Sequence, residues 1–177
     1  IKHNDLIVAT QGRSFWVLDD LDLIRQATPT ALNGLQFFTP EPAVIGNWYS
    51  GMNAAMAPKA TQDFTGVNPA NGVVFYYHLP EGISDKDIAL EIRDAKDHVI
   101  RRFSGLKDLS YSPYEGAPDP NPILSLKTGL NRFVWDMKHE SLPGIPKAYI
   151  ETSYSGHKVL AGNYTAILTV ANTQKTV

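Results

Sequence analysis

Glycoside hydrolysis usually needs two carboxylates flanking one bond, so the acidic residues come first. Asp19 and Asp20 are adjacent, Glu91 and Asp94 nearly so, and Asp119 stands alone in a Pro-rich stretch. Neighbours on an extended strand point to opposite faces. Asp19 and Asp20 are therefore poorly placed as a catalytic pair and read as solvated or helix-capping acids. The five histidines, His3, His78, His98, His139 and His157, lack the short spacing of a zinc motif. Ser153, Ser155 and His157 share one loop, but no nucleophile elbow surrounds them. No catalytic, metal or cofactor residue is assigned, and a Gly-rich phosphate cradle is missing as well: Gly66 to Gly72 lacks the strand–loop–helix context that such a site needs.

Aromatic residues in loops are the better candidates. Trp48 and Tyr49 lie between Gly46 and Gly51, and Tyr111 and Tyr114 lie in a Pro-rich loop. Exposed rings of this kind could stack on the C–H faces of sugars. The competing expectation is packing, with Trp48 pinning its segment onto the main domain. Asn163-Tyr164-Thr165 matches a glycosylation acceptor pattern, yet it stands at the start of a strand and is discounted.

Composition narrows the classes. The 177 residues are 43% hydrophobic and 19% charged with a net charge of −2, enough apolar content for a packed core. No basic block is present, which argues against a nucleic-acid partner. No apolar run approaches the length of a membrane span. Cysteine is absent, so disulfides, thiolate metal sites and a Cys nucleophile are excluded. The chain starts at Ile1 without a visible signal peptide and reads as an excerpt of something longer.

Three regions must position these residues. Residues 1–26 hold two short β-like runs, Leu6 to Ala9 and Ser14 to Leu18, turned by Gln11-Gly12-Arg13, with Asp20 placed to cap a short helix through Gln26. Residues 27–66 form a charge-poor linker whose apolar islands, Gln36-Phe37-Phe38 and Ala43-Val44-Ile45, are expected to dock on the main domain. Pro40 and Pro42 restrict any strand there to an edge.

Residues 67–177 alternate in the manner of a sandwich. Val73 to Leu79 is a strand, Leu90 to Phe103 a hairpin turned at Asp94-Ala95-Lys96-Asp97, Asn131 to Met137 a strand, and Gly162 to Ala171 the last full strand. A further strand from Gln174 is cut short at Val177. Residues 105–128 and 138–157 read as long loops. Leu160-Ala161-Gly162-Asn163-Tyr164 predicts a tyrosine corner, with the hydroxyl bonded to backbone just upstream. The expected fold is an all-β, antiparallel immunoglobulin-like sandwich with an N-terminal hairpin and an irregular linker.

Two stretches carry a family resemblance. Asp5-Leu6-Ile7-Val8-Ala9-Thr10-Gln11-Gly12-Arg13-Ser14-Phe15-Trp16-Val17-Leu18-Asp19-Asp20 resembles the last propeller strands of bacterial sortilin-like proteins with BNR-type repeats, often labelled glycosyl hydrolases. Asn68-Pro69-Ala70-Asn71-Gly72, the hairpin Leu90 to Phe103, Gly129-Leu130-Asn131-Arg132-Phe133-Val134-Trp135-Asp136 and Ala161-Gly162-Asn163-Tyr164-Thr165 resemble the Ig-like domain that follows that propeller. The resemblance implies an exported protein, secreted, periplasmic or at the cell surface, in which the chain is a non-catalytic accessory domain beside the rest of a parent propeller. Hydrolase chemistry would lie on the propeller face, so it is carried to no residue here. A carbohydrate-binding module is the alternative, and part of a glycoside hydrolase the second. Residues 6–18 would leave apolar surface and strand edges open. Two outcomes are expected of them: folding back onto the sandwich, which is favoured, or pairing with a second copy as a homodimer.

Overall fold

A computed structural model describes residues 4–12, 15–29, 31–46, 70–112, 114, 117–145, 148 and 154–177. Strands β1 (Leu6–Ala9) and β2 (Phe15–Leu18) form an antiparallel hairpin, followed by the single-turn-and-a-half helix α1 (Leu21–Gln26). Seven further strands build the body: β3 (Gln36–Phe37), β4 (Val73–Leu79), β5 (Ile88–Arg93), β6 (Val99–Ser104), β7 (Gly129–Trp135), β8 (Thr165–Val170) and β9 (Thr173–Thr176).

The body is an antiparallel β-sandwich. One sheet runs β3-β4-β7 and the other β6-β5-β8-β9. This three-plus-four division, with the chain crossing between sheets from β4 to β5, from β6 to β7 and from β7 to β8, is the immunoglobulin-like pattern. The alternation seen in the sequence sets the inner faces. Phe75, Tyr77 and Leu79 of β4 and Phe133 and Trp135 of β7 face Ile88, Leu90 and Ile92 of β5, Phe103 of β6 and Ala166, Leu168 and Val170 of β8, all buried. Phe103 and Phe133 meet edge to face across the sheets, with centroids 4.7 Å apart.

Local chemistry matches the turns. Asp94 closes the β5–β6 hairpin by accepting from the backbone N–H groups of Lys96 at 2.8 Å and His98 at 2.9 Å, and Asp97 adopts a left-handed φ of 66°. The Tyr164 hydroxyl donates to the Leu160 carbonyl at 2.7 Å while its ring meets Trp135 edge-on, so the tyrosine corner is present.

Four details refine or depart from the sequence reading. Within the stretch 27–66, Gln36–Phe37 is a strand of the sandwich itself, an edge strand paired with Tyr77 and His78, and Phe37 and Phe38 are buried. The island Ala43-Val44-Ile45 docks only through Ala43, since Val44 is 72% exposed. Asp20 stands at the N-cap position of α1 but is left-handed, with φ 57°, and makes no side-chain cap. Its carboxylate instead accepts from the Tyr76 hydroxyl of β4. Finally, the stretch 138–157 is no simple loop. Met137 to Leu142 and Tyr154 to Val159 run antiparallel as a ribbon, with the bonds Val159 N–H to Met137 O at 2.9 Å, His139 N–H to His157 O at 3.0 Å and Leu142 N–H to Tyr154 O at 2.8 Å.

Candidate functional site

The hairpin β1–β2 is the most unusual surface of the molecule. Directly opposed residues share a face in an antiparallel pair. Leu6 with Leu18 and Val8 with Trp16 form one face; Ile7 with Val17 and Ala9 with Phe15 form the other. Both faces are apolar, and every residue of both strands is exposed. Phe15 is 74% and Trp16 63% exposed. At 150–250 Å² per aromatic side chain, each of these rings leaves on the order of 150 Å² open to water, Phe15 on one face and Trp16 on the other. The favoured expectation that the hairpin folds back onto the sandwich is therefore not met. Its link to the sandwich runs through polar groups at its base.

Those groups form a hydrogen-bonded joint. Asn4 accepts from Arg25 at 3.1 Å, donates to Asp22 at 3.1 Å and to Glu41, and its carbonyl takes the Leu21 N–H at 2.9 Å. Gln26 and Thr39 exchange two bonds, side-chain amide to carbonyl at 3.0 Å and backbone N–H to side-chain oxygen at 2.9 Å. Tyr76 to Asp20 ties α1 to β4. The joint encloses a cavity of about 660 Å³ lined by Asp5, Asp19, Asp20, Asp22, Glu41 and Arg132 among others. Partial burial raises the Glu41 pKa, with Asp22 and Asp20 adding to the rise against the bond from Asn4. Burial likewise raises that of Tyr76, with Asp20 reinforcing it.

A second cavity, of about 510 Å³, is largely apolar and opens beside the sandwich where β3 ends. Phe75, Ile92, Trp135, Met137, Val159 and Tyr164 help to wall it.

The residues singled out by sequence lie apart from one another. Trp48 and Tyr49 fall outside the described residues. Tyr111 and Tyr114 are half-buried in the Pro-rich loop. The Tyr111 hydroxyl donates to Pro118 O at 3.0 Å, and the Tyr114 hydroxyl is enclosed without a hydrogen-bond partner among the described residues. Glu91 accepts from Arg93 and Arg102, which together hold its carboxyl below the usual range, the Arg93 bond most of all. Asp19 and Asp119 are exposed, and Asp94 serves its turn. His78 Nδ1 lies 2.8 Å from Gly34 O and His98 pairs with Asp94 at 3.2 Å. His3 and Ser153 lie outside the described residues, whereas His139 and His157 stack face to face at 3.9 Å. Among the described residues no group of three or more His, Cys, Asp or Glu is placed to hold a metal ion, and no helix is long and apolar enough to cross a membrane.

Comparison with protein-family models, with curated proteins and with solved structures finds no match to this chain.

Proposed function

We propose that the chain is a non-catalytic interaction domain, a sandwich that presents the β1–β2 hairpin to a larger β-structured body. The observation that carries this reading is the two-faced apolar hairpin. Strands that are apolar on both faces belong to sheets covered on both sides, and the unpaired edges of a hairpin offer backbone groups for strand addition. A sandwich that holds such a hairpin by a polar joint, and covers neither face, has the form of a part that seats in another.

The resemblance of residues 5–20 to the closing strands of an exported BNR-type propeller names that body: the parent propeller, with any glycoside hydrolysis on its face. The domain would then act outside the cytoplasm. Carbohydrate binding through Tyr111 and Tyr114 receives less support, since both rings are half-buried and neither hydroxyl is free to search for a sugar.

The test is a titration of the chain against such a propeller lacking its own closing strands, with wild type and with Phe15→Asp/Trp16→Asp. Saturable binding by wild type and at least tenfold weaker binding by the variant are expected, about 1.4 kcal/mol or more. Equal binding by both would reject the hairpin as the surface. Hydrolysis of aryl glycosides by the chain alone would reject the non-catalytic reading.

A further inference from the structure

The ribbon Met137 to Leu142 and Tyr154 to Val159 contains a concentration of positive and protonatable groups that the interaction role does not use. His139 and His157 are directly opposed, their rings stacked with centroids 3.9 Å apart and planes 21° from parallel. Arg101 of β6, only 6% exposed, lies against the His139 backbone. Its guanidinium donates to the His139 carbonyl and to Asn121 Oδ1 at 2.8 Å, and sits 5.2 Å from the Phe103 ring centre. Its Nε is buried without a hydrogen-bond partner, and no carboxylate pairs with it among the described residues. A buried cation without a counter-charge is already costly.

The ribbon is also tightly closed. A Cβ on Gly156 would stand 2.1 Å from the His139 carbonyl oxygen and 2.5 Å from that of Glu140, so only glycine permits this approach. Met137 and Val159, at the inner end of the ribbon, wall the apolar cavity beside Trp135.

We propose that the His139–His157 stack beside Arg101 is an acid-released latch that holds the two arms of the ribbon together. Neutral imidazoles stack face to face without penalty. Protonating His139 places a further charge near a buried guanidinium in a partly desolvated site. The groups facing His139 are His157 across the ribbon and Arg101 from β6. The other charges of the ribbon are Lys138 and Lys158, opposite one another, and the exposed Glu140. Burial, then His157 and Arg101, hold the His139 pKa below its ordinary 6.5. The folded pKa lies below the unfolded one, so the stabilisation is present above 6.5 and is lost as pH falls from there through the lowered value.

Amide hydrogen exchange, corrected for intrinsic rates, tests this on the whole chain between about pH 7.5 and about pH 5. Protection of the His139, Leu142 and Val159 amides should fall about tenfold or more, while β5 and β8 amides hold. The variant His139→Phe/His157→Phe keeps two stacked rings and should lose this response. Unchanged ribbon protection in wild type, a parallel loss in β5 and β8, or persistence of the response in the variant would each overturn the latch. If the variant does not fold, an imidazole titration of wild type by NMR decides: loss of ribbon protection must track the His139 midpoint, and a mismatch overturns the proposal.

Discussion

Trp135 is fixed by two different interactions. It is 2% exposed, its indole N–H donates to the Lys138 carbonyl at 3.0 Å, and its ring meets Tyr164 edge-on at 5.7 Å. Trp135→Ala should therefore cost about 3–5 kcal/mol in urea unfolding; a loss under about 1 kcal/mol would mean the ring is not core. Tyr77 is fully buried and donates to Ser125 O at 2.8 Å, and burial pushes its phenol up to about 12. The folded pKa lies above the unfolded value of 10.0, so this stabilisation is intact below pH 10 and is lost as pH rises through about 12. About 2–3 kcal/mol should disappear over that window, and stability measured against pH should show a smaller loss in Tyr77→Phe. The core role of Trp135 was legible because alternation along its strand assigns faces directly; that of Tyr77 was open among its neighbours, since Val73 to Leu79 is an almost unbroken apolar and aromatic run. The role of Asp20 was not legible: an Asp before a helix signals a cap, but its bond to Tyr76 depends on a residue 56 positions away that only the folded chain brings near.

At the scale of elements, the hairpins and long strands could be read because their turn residues and period-two patterns are local. Two elements could not. Strand β3 is two residues long and flanked by Pro-rich sequence, and it exists because β4 offers Tyr77 and His78 as partners. The ribbon before β8 is held by cross-chain backbone bonds and by Gly156, with no run of β-formers to announce it. Gly72, at the mouth of β4, shows how close such contacts are: a Cβ there would lie 2.1 Å from the Trp135 carbonyl oxygen. Gly72→Ala should destabilise the sandwich by about 1–3 kcal/mol, measured by thermal or urea unfolding, although the substitution is otherwise conservative. The hairpin β1–β2 should behave oppositely. Phe15→Asp/Trp16→Asp alters only exposed side chains and should leave the sandwich unfolding midpoint within about 0.5 kcal/mol of wild type; a larger drop would mean the hairpin belongs to the sandwich core.

The whole molecule combines a satisfied core with an unsatisfied appendage. Sixteen buried residues form one cluster between the two sheets, whereas all eight residues of β1 and β2 are exposed. The sequence signalled the hairpin and its apolar character, but whether the sandwich would cover it depended on shape complementarity between distant surfaces, which no local pattern encodes. The most direct measurement is amide exchange of residues 6–9 and 15–18, in the chain alone and with the propeller body that the proposal places beside it. In the free chain these amides should exchange fast, at the low end of local stability. In the complex they should slow about tenfold or more while β4, β5, β7 and β8 stay unchanged. Protection gained on the sandwich strands, with the hairpin amides as fast as before, would contradict the assignment of β1–β2 as the interaction surface.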